Sequence, residues 1–250
     1  MPASTQQEAP LADRDEIARF NALAASWWDP NGPMKPLHRL NPMRIGFLKE
    51  AFAAHFGRDG KSMQPFGGLN LLDIGCGAGL VAEPMARLGF EVAAIDLAEE
   101  NIAAAKSHAA LEGLTIDYRA TPIEKLPDTP VYDAITLLEV VEHVPDVPAF
   151  VAEAAKRLKP GGMLIASTLN RTLKAYALAI FGAEYVLRWL PVGTHDWNKF
   201  VTPDELDRAF AEAGLQPNER AGMVFNPLAD SWRLSNDCDV NYLVSATKPD

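Results

Sequence analysis

The residues Leu71-Leu72-Asp73-Ile74-Gly75-Cys76-Gly77-Ala78-Gly79 run from a buried strand into a helix, and three of them carry no side chain where a sheet's carboxyl edge meets a ligand. About twenty residues on, Asp96 closes the next strand, where a carboxylate suits the vicinal hydroxyls of a ribose. Together they describe a nucleoside pocket. Gly77 to Ala82 also satisfies the dinucleotide pattern GxGxxA, a weak signal alone, and a glycine turn without any ligand is the plain alternative. In the dinucleotide pattern the first glycine follows the strand directly, whereas Asp73 and Gly75 hold that place here. Their acid would face phosphate charge, but it suits a sulfonium cofactor whose amino-acid tail offers an ammonium. Cys76 has no evident activating partner and is assigned no catalysis.

A second group follows the fourth strand, in Leu138-Glu139-Val140-Val141-Glu142-His143-Val144. If the segment turns helical, Glu139, Glu142 and His143 share a face. Two carboxylates and an imidazole suit a divalent ion with open positions, although similar strings occur in proteins that need no metal. Such an ion would lower the pKa of a bound phenol, which at a reference value of about 10 is ionised in only on the order of one molecule in a thousand at pH 7. The competing version makes His143 a general base without metal.

The elements that must position these groups alternate short apolar runs with amphipathic helices, the pattern of a parallel sheet covered on both faces. Strands are expected at Leu69 to Ile74, Val92 to Asp96, Ile116 to Arg119, Ala134 to Leu138 and Met163 to Thr168, with a last, antiparallel one at Asn241 to Ala246. Helices are expected at Leu80 to Leu88, Glu99 to Leu111, Val147 to Leu158 and Pro203 to Ala213, stopped by Gly89, Gly113 and Gly161. Thr202 and Glu205 read as a capping box for the last of them. The expected fold class is α/β, doubly wound and Rossmann-like. Ahead of it, apolar spacing predicts a helix from Asp13 to Trp28, an irregular basic loop over Pro36 to Pro42, and a helix over Met43 to Phe56. The expected organisation is a tail over 1–12, a helical segment over 13–68 capping the site, and a core over 69–250.

The net charge of −10 argues against a nucleic-acid partner, and two distant cysteines give neither a disulfide framework nor a zinc signature. With no secretory signal and no membrane-spanning apolar run, a cytoplasmic location is expected. The apolar insert 171–197, rich in Leu, Tyr, Phe and Trp with Lys174 and Arg188, is long for a connector. It suits a lid touching the inner face of a membrane, or equally a helix packed over the site.

LLDIGCGAG with Asp96 resembles the first two motifs of class I methyltransferases, whose seven-stranded sheet ends in an antiparallel strand. Trp27-Trp28-Asp29, the segment Lys35-Pro36-Leu37-His38-Arg39-Leu40-Asn41-Pro42 with Arg44, Ser167-Thr168-Leu169-Asn170-Arg171 and Gly193-Thr194-His195-Asp196 are more specific words. With EVVEHV they make the chain, from about Ile17 to Leu243, similar to the ubiquinone-biosynthesis O-methyltransferase family. That resemblance implies S-adenosylmethionine (SAM) as cofactor, a polyprenylated hydroxyphenol or catechol as substrate, and Mg²⁺ held by Glu139, Glu142 and His143. It also implies that Arg44, Gly75, Asp96 and Leu138 contact the cofactor, to which the turn argument adds Asp73, Gly77 and Gly79. Methylation of another small-molecule N, C or O acceptor, and a non-catalytic scaffold within a biosynthetic complex, are the alternatives.

Overall fold

The computed structural model describes residues 26–129, 131–177, 196–226 and 231–250. Most of the helix expected over Asp13 to Trp28 lies outside these residues, as does 178–195 of the apolar insert.

Five strands form the parallel part of one sheet: β1 (Asn70–Ile74), β2 (Glu91–Asp96), β3 (Asp117–Ala120), β4 (Tyr132–Leu138) and β5 (Leu158–Leu169). Alternate residues on these strands enter two different cores. Leu71, Ala134, Met163 and Ile165 pack on one face with Phe47, Leu48, Phe52, Met85 and Ile102, while Leu72, Ile135, Leu164 and Ala166 pack on the other with Phe150, Val151, Leu206 and Phe210. Burial on both faces is why the strands read as apolar runs rather than as alternating ones.

Helices α1 (Lys35–His55), α2 (Ala82–Arg87) and α3 (Glu99–Leu111) cover the first face, and α4 (Val147–Arg157) and α5 (Pro203–Glu212) the second. The α5 cap is as expected. Thr202 Oγ1 accepts from the Glu205 amide at 3.3 Å, and Glu205 Oε2 accepts from the Thr202 amide at 2.9 Å.

The sheet is mostly parallel and ends antiparallel, and among the described residues it has eight strands, one more than expected. Their order is β3-β2-β1-β4-β5-β8-β6-β7, with β6 (Gln216–Asn226), β7 (Ser231–Ser235) and β8 (Asn241–Thr247) running antiparallel to their neighbours. The order reverses at β1, which pairs with β2 on one side and β4 on the other. Ligands of such sheets bind in the crevice at the strands' carboxyl ends beside that reversal.

Two local expectations are corrected. The loop expected over Pro36 to Pro42 is the first part of α1: Pro36 sits in the first turn, where its missing N–H costs nothing, and Pro42 is carried inside the helix. Gly161 does not stop a helix, because α4 ends at Arg157 and Gly161 lies within β5, donating to Lys248 O at 2.9 Å.

Candidate active site

The turn after β1 is tied to the end of β2. Gly75 N and Cys76 N both donate to Ile95 O, at 2.8 and 3.0 Å, and Gly77 N donates to Asp96 Oδ2 at 2.8 Å. Gly75, Gly77 and Gly79 have φ of 71°, 53° and 93°, a region L side chains rarely adopt. Protein fills the space their side chains would need. A Cβ would lie 2.3 Å from Val140 Cγ2 at Gly75, 2.5 Å from Trp27 Cη2 at Gly77 and 2.2 Å from the Tyr118 hydroxyl at Gly79. The glycines thus let the walls of the crevice close onto its floor.

Asp96 accepts from Gly77 N with one oxygen and from Ala98 N with the other, at 2.8 Å each. Burial raises its carboxyl above the ordinary range, against the lowering pull of those amides. Asp73 is buried deeper. Thr136 donates to its Oδ1 at 2.6 Å, and its Oδ2 has no hydrogen-bond partner. Burial pushes its carboxyl up to about 7 against the pull of the Thr136 hydroxyl, and the Asp96 charge adds to the rise.

Arg44 projects from α1 and is 4% exposed. Its Nη2 lies 2.7 Å from Glu139 Oε1, close enough for an ion pair but off the hydrogen-bond direction, and its buried Nε has no hydrogen-bond partner. The site therefore holds an acceptor without a donor at Asp73 and donors without a well-aimed acceptor at Arg44. An amino acid's ammonium and carboxylate are the complementary pair, so a cofactor ending in one fits.

Leu138 is the buried last residue of β4, opposite Ser167 on β5. The next residue, Glu139, has φ of 56°, the one positive value outside glycine among the described residues. Its Oε1 receives Ser167 Oγ at 2.7 Å as well as Arg44. A single 3₁₀ turn, Val141–His143, then sends Glu142 inward, where Thr168 Oγ1 donates to its Oε2 at 2.8 Å. Burial and the Glu139 charge raise the Glu142 carboxyl to about 7, while His143 pulls it down.

The three groups expected to hold Mg²⁺ are neighbours but do not form an ion's ligand set. Among the described residues no three His, Cys, Asp or Glu side chains are grouped so as to hold a metal. The physical reason is that Glu139 turns to Arg44 and Ser167 while Glu142 turns to Thr168, so the arrangement does not fit the ion as placed.

Thr136, Ser167, Thr168, Asn101 and Trp27 also belong to the site, and sequence reasoning had singled out none of them as functional. Only Trp27 and the Ser167-Thr168 pair left a trace, as unusual words. The buried Tyr118 hydroxyl faces Gly79 without a hydrogen-bond partner. Burial pushes the Cys76 thiol well up, consistent with a packing role.

Residues 38–219 match a family described as a methyltransferase domain. The chain is 54% identical over 237 residues, 95% of each chain, to a ubiquinone biosynthesis O-methyltransferase of Paramagnetospirillum magneticum. It is 54% identical to one of Rhodopseudomonas palustris, covering 97% of this chain and 96% of that one. Among solved structures, the magnesium protoporphyrin IX methyltransferase of Synechocystis with bound S-adenosylhomocysteine (SAH) superposes with TM-score 0.66 at 17% identity, covering 94% of this chain and all of that one. A SAM-dependent methyltransferase of Thermotoga maritima superposes with TM-score 0.62 at 16% identity, covering 93% and 99%. At these identities the superpositions speak for the fold alone.

Proposed function

This chain belongs to the ubiquinone biosynthesis O-methyltransferase family, and on that premise we propose that it methylates a hydroxyl of a polyprenylated phenol or catechol, using SAM. Identity of 54% over 95% of both chains carries the reading. The unmatched polar atoms at Arg44 and Asp73 support it independently.

Bound at the turn, SAM supplies an electrophilic methyl group on a sulfonium. Arg44 receives its carboxylate, Asp73 its ammonium and Asp96 the ribose hydroxyls, while Gly75, Gly77, Gly79 and Leu138 form the floor. The protein's remaining work is to hold the acceptor oxygen in line with the methyl and remove its proton. His143, half-buried at the carboxyl end of β4, is the base: an imidazole with a reference pKa of about 6.5 suits that transfer near neutral pH. Glu142 is buried next to it with its carboxyl raised to about 7, and Glu139 is held by Ser167 and Arg44.

Labelled-methyl transfer to a short-chain prenylated catechol tests the reading. Label on the catechol oxygen is expected, and label on nitrogen or carbon acceptors alone would overturn it. The same assay after chelation addresses the metal. Activity that survives complete removal of divalent ions agrees with His143 acting without one. Loss restored by Mg²⁺ would mean that Glu139 leaves Arg44 to bind the ion.

The acceptor's tail needs an apolar route, and we place its entry near the start of the insert. Leu173 and Tyr176 are 82% and 51% exposed there. Lys174 between them pairs with Asp237 at 2.5 Å and Asp239 at 3.2 Å, so acidic groups surround its ammonium and the apolar side chains are the stronger basis for contact. Among the described residues no helix is long and apolar enough to cross a membrane. The contact proposed is therefore peripheral and apolar.

A further inference from the structure

We infer that Trp27 is a positioning residue for the cofactor, acting through Asn101 on the Asp96 carboxylate that receives the ribose. The inference rests on the reading of the Gly77 turn and Asp96 as a nucleoside site.

Trp27 is 7% exposed and lies far from that site in sequence, yet its ring rests on Gly77. Its indole Nε1 donates to Asn101 Oδ1 at 2.9 Å. An indole N–H can only donate, so Asn101 must turn its oxygen toward Trp27 and its NH₂ the other way. That NH₂ lies 3.5 Å from Asp96 Oδ1. Asn101 is itself buried, so its amide has no bulk water with which to exchange these partners. With the indole donor gone, the buried amide oxygen loses its partner and nothing on that side holds the side chain in place, so the NH₂ is no longer fixed toward Asp96 Oδ1. Asp96 would then be worse placed to accept from ribose hydroxyls.

Trp27 is pinned for this task from several sides. His38 of α1 approaches its carbonyl, Nε2 to O, at 2.7 Å. The next residue, Trp28, stacks on His108 of α3 with ring centroids 3.5 Å apart and planes within 3°, and donates from Nε1 to Ala78 O at 3.1 Å. His108 in turn meets the buried Glu83 of α2, Nδ1 to Oε1, at 2.7 Å. Three helices thus fix a two-tryptophan strap beside the glycine turn, and its Trp27 indole N–H meets Asn101, the residue that faces Asp96.

The test is SAH binding by calorimetry for the wild type, Trp27→Phe, Asn101→Leu and the double variant. Trp27→Phe keeps the ring and removes only the donor. Each single change is expected to weaken SAH about fivefold, the size of one modest hydrogen bond. The double variant is also expected to lose about fivefold rather than about 25-fold, because both residues act through one chain. In turnover the loss should fall on the KM of SAM and not on that of the acceptor, a split that a general loosening of structure would not give. Near-UV circular dichroism confirms that each variant is folded. If Trp27→Phe does not fold, Asn101→Leu carries the test, and unchanged SAH affinity in it overturns the inference. Wild-type affinity in Trp27→Phe, multiplying losses, or an equal rise in the acceptor's KM overturns it too. No binding by the wild type at millimolar SAH would remove the nucleoside site itself, and this inference with it.

Discussion

Asp73 reports on the site through its proton. Its carboxyl stands at about 7 rather than its ordinary 3.8, chiefly because it is buried. The folded chain therefore holds a proton that the unfolded chain has released, so this group's contribution is full below 3.8 and is lost as pH rises through about 7. Asp73→Asn should abolish that decline, on the order of 4 kcal/mol for a shift of this size. Urea unfolding of both proteins across the window measures it, and parallel pH profiles would contradict it. A cofactor ammonium beside Asp73 favours the charged carboxylate, so SAH binding should release a proton and tighten as pH rises toward 7. Calorimetry in buffers of different ionisation enthalpy reads that proton, and pH-independent affinity would place the ammonium elsewhere.

The glycine turn gives a second prediction at the same scale. Gly79→Ala combines φ of 93° with a Cβ 2.2 Å from the Tyr118 hydroxyl, and should cost on the order of 2–3 kcal/mol. Tyr118→Phe alone removes a buried hydroxyl that has no hydrogen-bond partner. It should be neutral or stabilise the fold by up to about 1 kcal/mol, and a clear loss of stability would show that the hydroxyl has a partner after all.

Among the elements, those with a strong local signature were legible. β1, β2, β4 and the buried part of β5 are apolar on both faces, and α5 carries its capping box in the sequence itself. Thr202→Ala should cost about 1 kcal/mol, read as a lowered unfolding midpoint. β6 and β7 were not legible. β6 begins with four exposed residues and is buried only near its middle, while β7 is an edge strand with no fully buried residue. The start of α1 was hidden by two prolines, one harmless in a first turn and one held inside the helix by packing, since Leu40, Arg44, Phe47 and Leu48 on either side are buried. The head of the insert carries the membrane proposal. Wild type should float with phosphatidylethanolamine and phosphatidylglycerol vesicles, and Leu173→Glu with Tyr176→Glu should float less. Equal behaviour of the two proteins would sink it.

On the scale of the whole molecule, the site exists because the sheet's reversal at β1 gathers residues that no local pattern connects. The glycine turn and Asp96 were readable, being fixed by their own strand ends. Three pairings were not: Arg44 with Glu139 and Trp27 with Asn101 depend on how helices α1 and α3 settle on the sheet, and Asp73 with Thr136 depends on the register of β1 against β4. The same distance explains why Glu139, Glu142 and His143 looked like a ligand set. Spacing along the chain shows which side chains are neighbours but not which partners on α1 and β5 will claim them. A crystal structure with bound SAH tests the arrangement most directly. The expected density crosses the Gly75–Gly79 turn, with the ribose on Asp96, the ammonium on Asp73 and the carboxylate on Arg44. Density elsewhere, or a tail directed away from both Arg44 and Asp73, would contradict it.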